Sequence, residues 1–197
     1  SLRYLRLGTL KLLLLASLFA GLAVSSKYNA LPIVCVPLVA VLGRRDVQVS
    51  HLLTVAAVVA GGFLLGTPFA LSSLPLFLDQ LAYEIYHYGV AGHVGHSAEP
   101  GFAQAWFYLQ WLMREGVGVL FCFAGLIGGL WLVMQRNAKA VALLVFPLLF
   151  SCLMISQRTN FTRNMVALLP FVLLFAVLVG GALLSKIKQQ QYRIVLL

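Results

Sequence analysis

The chain has 197 residues, of which 61% are apolar and only 10% charged, and it carries a net charge of +9. With a mean hydropathy of +0.97, it is not an ordinary water-soluble domain, which is roughly half apolar and a quarter charged. Nor does the positive charge read as a nucleic-acid surface: the Lys and Arg residues cluster at the ends of apolar stretches, where anionic lipid is the ordinary partner.

In chain order, six apolar stretches cover 8–24, 29–43, 51–71, 116–134, 140–156 and 165–184. A membrane-crossing helix takes about 20 apolar residues to span ~30 Å of hydrocarbon, and four of the six meet or nearly meet that length. Stretch 29–43 is shorter and contains Pro32 and Pro37, so it reads as a tilted, kinked or partly buried helix held by its neighbours. The expected fold is all-α: a single polytopic membrane domain over 1–197, with about six transmembrane helices and amphipathic helices on the outer face. Threaded as alternating crossings, the stretches put Arg3, Arg6, Lys11, Arg44, Arg45, Arg136, Lys139, Lys186, Lys188 and Arg193 on one side. The other side receives Lys27, Arg114, Arg158 and Arg163, together with Asp79, Glu84, Glu99 and Glu115. Short cytoplasmic loops carry the basic excess, so both termini are expected in the cytoplasm, with the chain in a bacterial inner membrane. Cys35, Cys122 and Cys152 each lie in an apolar stretch without C-x-x-C spacing, as small core residues do.

Three outer segments follow from this threading: Ser25–Asn29, a long one over 72–115, and Gln157–Asn164. In the long segment, Leu74, Phe77, Leu78, Leu81, Ile85 and Tyr88 recur at spacings of three and four, with Gln80, Glu84 and His87 opposite. That pattern predicts an amphipathic helix over Leu74–Tyr88, lying at the membrane surface. The glycine-rich stretch from Gly89 to Gly101 reads as a loop. Ala103–Met113 gathers Trp106, Phe107, Tyr108 and Trp111 into an aromatic belt ahead of the next span.

Lys27, Arg158 and Arg163 stand on the face where basic residues are disfavoured. Cations at headgroup depth suit a phosphate, Arg through its planar fork and Lys as a point charge, although each can also snorkel to ordinary phospholipid. His87, His93 and His96, with Glu84 and Glu99, are candidates for a divalent metal, but His-x5-His-x2-His is not a strong ligand spacing. Asp79, Glu84 and Glu99 are candidate general acids or bases, and their spacing singles out none of them. Asn160-Phe161-Thr162 matches a glycosylation sequon.

Gly21-Leu22-Ala23 followed by Ser26-Lys27-Tyr28-Asn29-Ala30-Leu31 resembles the span-end motif of polytopic glycosyltransferases with lipid-phosphate sugar donors. That family, dependent on dolichyl or undecaprenyl phosphate, includes protein O-mannosyltransferases and bacterial aminoarabinose transferases. The resemblance continues through Gly66-Thr67-Pro68-Phe69-Ala70, Gly92-His93-Val94-Gly95 and Phe107-Tyr108-Leu109 with Gly116. It is clearest at Asn160-Phe161-Thr162-Arg163-Asn164 through Pro170-Phe171, which is similar to the family's Arg-x5-6-Pro-Phe signature. It implies a GT-C bundle and transfer of a sugar, with inversion, from a polyprenyl-phosphate donor to a protein or glycolipid acceptor on the periplasmic or lumenal face.

Under this resemblance Lys27, Arg158 and Arg163 bind the donor phosphate. His93 and Glu84 orient the acceptor or hold a divalent ion, and membrane lipids surround the bundle. The family's catalytic carboxylate lies in the first outer loop. No acidic motif precedes Lys27, so the chain is expected to be the middle and later part of a longer enzyme, inactive alone. Two other classes compete: a transporter or flippase-like carrier, and a non-catalytic anchor subunit. The spans are nearly free of charge and the polar residues gather at the rim, which favours interfacial chemistry over transit.

Overall fold

The computed structural model describes the backbone of residues 1–195 and side chains through Ser185. Lys186, Lys188 and Arg193, assigned above to the inner face, lie outside the described side chains. Among the described residues the chain is all-helical, apart from one isolated bridge between Ser97 and Thr159.

Helix α1 (Leu2–Leu7) stops at Gly8, whose φ of 69° lets its N–H close back on the Tyr4 carbonyl at 2.8 Å. This glycine separates α1 from α2 (Leu10–Ser26). The expected kinked helix over 29–43 is a 3-10 turn, Tyr28–Val34, followed by the short α3 (Cys35–Leu42). Pro32 lies within the 3-10 turn and Pro37 near the start of α3, so neither interrupts a long α-helix. Helix α4 (Val49–Gly66) ends before Thr67-Pro68, where the residue preceding proline is pushed out of helical geometry. The stretch 51–71 is therefore broken, and its tail forms the separate turn α5 (Phe69–Ser72).

Helix α6 (Leu74–Tyr86) runs into a wider π-type turn, His87–Ala91, and α7 (Phe102–Trp111) into another, Leu112–Gly116. Helix α8 (Gly118–Gln135) turns through Arg136 into α9 (Ala138–Ser156). Asn137 caps α9, its side-chain oxygen accepting from the N–H groups of Lys139 and Ala140 at 3.1 and 3.0 Å. A second 3-10 turn, Thr162–Leu168, leads into α10 (Leu169–Val195).

Among the described residues, four runs are long and apolar enough to cross a membrane: Val49–Gly66, Gly118–Gln135, Ala138–Ser156 and Thr162–Ser185. Leu10–Ser26 and Tyr28–Leu42 are apolar but shorter.

Small residues decide which helices pair. On α2, Ser17, Gly21 and Ser25 recur every four residues; Gly21 meets Gly62 of α4 and Ser25 meets Gly66, also four apart. A Cβ on Gly62 would stand 2.6 Å from the Leu18 carbonyl oxygen, and one on Gly21 would stand 2.9 Å from the Phe63 nitrogen. Backbones this close gain dispersion contacts that no larger residue allows. The Ser25 and Thr67 hydroxyls close the seam with a 2.8 Å hydrogen bond. The α8–α10 pair uses the same device: a Cβ on Gly125 would lie 2.8 Å from the Val172 carbonyl oxygen.

At one end of the bundle Tyr4, fully buried, bonds His51 Nδ1 through its hydroxyl at 2.9 Å. Arg44 covers the Tyr4 ring and forks onto Asp46 at 2.8 and 2.7 Å. The Asp46 bonds hold the Arg44 guanidinium above its ordinary pKa and the Asp46 carboxyl below the usual carboxylate range. Arg44, counted above only as a topological charge, is thus an ion-paired cap on Tyr4.

Candidate functional site

Eleven residues of the three outer segments meet at the opposite end, around a cavity of about 700 Å³. Ser25, Ser26, Lys27 and Tyr28 line it from the end of α2, and Leu81, Glu84, Ile85 and Tyr88 from α6 and the turn after it. Ser156 and Gln157, at the end of α9, complete the polar wall. The α6 side of the cavity is the 81–84–85–88 face of one helix, which is why residues spaced by three and four arrive together. Phe77 of α6 packs on Tyr28 and Phe63 at ring separations of 6.1 and 6.0 Å, so α6 is fastened over the 3-10 turn after α2 and over α4. Its remaining apolar residues, Leu74, Leu76, Leu78 and Tyr86, are exposed.

Lys27 and Asn164 come together across 137 residues: the Lys27 ammonium donates to Asn164 Oδ1. Asn164 is only 2% exposed, and its Nδ2 is buried without a hydrogen-bond partner among the described residues. Burial, and then the neighbouring Arg163 charge, push the Lys27 ammonium below its ordinary pKa. Lys27 nonetheless keeps exposed surface, since the cavity gives it an open side. Arg163 itself is exposed, with its guanidinium 4.3 Å above the Phe161 ring, a cation–π seat.

Arg158 is differently placed. Its guanidinium pairs with Glu99 at 2.5 Å and donates to the Val90 carbonyl at 3.3 Å. It serves the outer loop, and, like Arg163, it does not line the cavity; of the three expected phosphate ligands only Lys27 does. The reason is local: residues 157–160 are gripped by the 87–104 region. Arg158 and Thr159 N–H groups donate to the Tyr88 carbonyl at 2.8 and 3.1 Å, Ala98 N–H to Arg158 O at 3.0 Å, and Asn160 N–H to His96 O at 3.0 Å. Gln104, fully buried, donates through Nε2 to the carbonyls of Gln157 and Arg158 at 2.8 and 2.7 Å. Beneath them Tyr108, its hydroxyl pushed up to about 12 by burial, reaches the Thr159 carbonyl at 3.4 Å.

His93 packs at 5.1 Å from the Phe161 ring, with His87 and His96 at 5.5 and 6.0 Å from His93. The three histidines do cluster, His87 edge-on and His96 tilted against His93, with His93 and His96 also packed on Phe161, and His93 does not line the cavity. Among the described residues no group of three or more His, Cys, Asp or Glu side chains is arranged to hold a metal ion. The aromatic belt divides: Tyr108 is buried with Phe146, Phe150 and Met165, while Trp106 is 46% exposed. Asn160 of the sequon is 6% exposed, a buried side chain rather than one open to modification.

Asn164, Gln104 and Gln157 escaped the sequence reading. A lone amide in an apolar or aromatic run, as Gln104 is between Ala103 and Ala105, is the available signal.

Among the described residues the fold and site thus define an all-helical chain with four membrane-length helices and a cavity walled by the end of α2, the turn after it, α6 and the end of α9. Comparison with family models, curated proteins and solved structures finds no match to this chain.

Proposed function

We propose that this chain is part of an integral-membrane glycosyltransferase that transfers a sugar from a polyprenyl-phosphate donor to an acceptor on the outer face of a bacterial inner membrane. The observation that supports it is the seating of Lys27 on Asn164 at a cavity roofed by α6, with the Arg163 charge felt at Lys27. Two cations held near each other repel unless an anion joins them, and a lipid phosphate at headgroup depth is such an anion. A phosphate leaving group needs no proton if fixed cations hold its charge. One such preorganised contact is worth about 10²–10³-fold in rate.

In this reading α2 and the Tyr28–Leu42 unit are short crossings, which brings the total to six and both termini to the cytoplasm. Arg158 acts indirectly, by holding the 157–160 segment in place. Single-cysteine labelling tests the threading: positions 136–139 are expected to react only from the cytoplasmic side, and labelling there from outside overturns it.

Donor use tests the chemistry. In the full protein, Arg163→Ala and Lys27→Ala are each expected to weaken polyprenyl-phosphate binding more than tenfold. Loss of one partner from a charge-assisted phosphate contact typically costs about 2–5 kcal/mol. Arg136→Ala removes equal charge at the α8–α9 turn and is expected to change binding little. Equal effects from Arg163→Ala and Arg136→Ala leave only nonspecific lipid attraction and refute the site.

A further inference from the structure

We infer that Asn164 is a positioning residue for the donor phosphate: it aims the Lys27 ammonium through an uncharged acceptor and so leaves the charge for the phosphate. This assignment rests on the glycosyltransferase reading. The bond from the Lys27 ammonium to Asn164 Oδ1 joins the end of α2 to the 3-10 turn Thr162–Leu168, 137 residues later. An ammonium has three N–H donors and no acceptor, so one bond sets its direction and the remaining donors can turn to a ligand. They have an open side to do so, because Lys27 is exposed and lines the cavity. Asn164 gives little to the core around it. It is buried, and its Nδ2 has no hydrogen-bond partner among the described residues. An apolar residue of similar shape would avoid that unmet donor. What the amide alone supplies is Oδ1 towards Lys27.

The neutrality of this acceptor matters as much as its place. Glu84 lines the same cavity, yet among the described residues no carboxylate pairs with Lys27. A carboxylate in the place of Asn164 would hold the ammonium too, but it would cancel the charge and repel a phosphate. Burial and the Arg163 charge press Lys27 to give up its proton. A hydrogen bond accepted from the charged form opposes that loss. Asn164 therefore keeps Lys27 both aimed and charged.

The test measures farnesyl phosphate binding to the purified full protein across pH. Binding needs the charged Lys27, so it falls as pH rises through the Lys27 pKa. Asn164→Leu is expected to weaken binding at neutral pH by about 10–10²-fold, the worth of a hydrogen bond to a charged group. It should also move the alkaline fall to lower pH, because the charged form has lost its acceptor. Asn164→Asp is expected to weaken binding by about tenfold or more, since like charges then meet, but to move the fall to higher pH. Glu84, Tyr28 and Tyr88 face the same cavity and Arg163 adjoins Asn164; all four are the same in every variant, so the difference reads Lys27. A general loss of packing would not move the fall in opposite directions. In a Lys27→Met background, Asn164→Leu should cost less than about twofold more, because the two act as one unit. Coincident alkaline limbs overturn the assignment, as does an equal loss from Asn164→Leu in both backgrounds. Aspartate is nearly isosteric with asparagine, so where the leucine variant does not fold, an alkaline fall in Asn164→Asp that fails to rise is decisive alone. The underlying reading fails separately: the unaltered protein would then bind farnesol as well as farnesyl phosphate.

Discussion

Gly128→Ala is expected to destabilise the α8–α10 pair by about 1–3 kcal/mol, the usual cost of overpacking, while Gly129→Ala is expected to be neutral or mildly stabilising. A Cβ on Gly128 would stand 2.7 Å from the carbonyl carbon of Phe175 and closer still to its oxygen. Those are backbone atoms, so relief requires the helices to part along their length. A Cβ on Gly129 meets only the Phe175 ring, at 3.7 Å, an ordinary contact. Helix interiors lose about 0.5–1 kcal/mol at glycine relative to alanine, so there the substitution recovers something. Thermal unfolding in detergent separates the neighbours: for a chain of this size each 1 kcal/mol moves the midpoint by about 2–4 °C. Gly62 and Gly61 provide the same comparison on α4. A Cβ on Gly62 is 2.6 Å from Leu18 O, whereas one on Gly61 meets nothing within 4 Å. Equal midpoints within each pair would mean that the seams tolerate separation and that close approach does not hold the bundle.

This contrast also marks what sequence could reveal. Hydropathy over a fixed length finds Val49–Gly66, Gly118–Gln135 and Ala138–Ser156 because an apolar run of that length has one economical fate in lipid. The α6 helix was legible because a three–four period survives in its sequence, but the side on the cavity, Leu81–Glu84–Ile85–Tyr88, joins Glu84 to the apolar residues it was expected to oppose, and Gln80 and His87 do not line the cavity. Pairing is harder to read. Ser17, Gly21 and Ser25 every four residues on α2, with Gly62 and Gly66 on α4, form a readable small-residue signature, but only contact shows that the two stripes meet. Least legible is the destination of a long polar side chain. Arg158 and Arg163 look alike in sequence, yet the backbone grip on 157–160 turns Arg158 to Glu99 while Arg163 lies over Phe161. The partner of Arg158 is fixed by main-chain hydrogen bonds to residues 60 or more positions away, such as those of Arg158 and Asn160, which no side-chain pattern encodes.

The grip itself yields the last expectation: Gln104→Leu is expected to release residues 157–160 from the outer loop, and Glu99→Gln is not. Leucine fills the volume but offers no donor, so the Gln157 and Arg158 carbonyls, now bonded at 2.8 and 2.7 Å, lose their Gln104 partner inside a fully buried site. Leaving a buried acceptor unmet costs about 1–3 kcal/mol. Glu99, in contrast, meets Arg158 in the open, with side-chain exposures of 76% and 41%, and exposed pairs are worth about 0–1 kcal/mol. Amide hydrogen exchange provides the measurement. In Gln104→Leu, the Ala98, Arg158, Thr159 and Asn160 amides should lose protection together, because all four bond across the same seam. In Glu99→Gln they should keep it. Gln157 begins the gripped segment and lines the cavity, while Asn164, shortly beyond its end, holds Lys27. Loosening the seam should therefore also weaken polyprenyl-phosphate binding, although Gln104 lies outside the cavity lining. Unchanged exchange at those four amides would mean that the backbone bonds alone hold the loop and that Gln104 is an ordinary filler of the core.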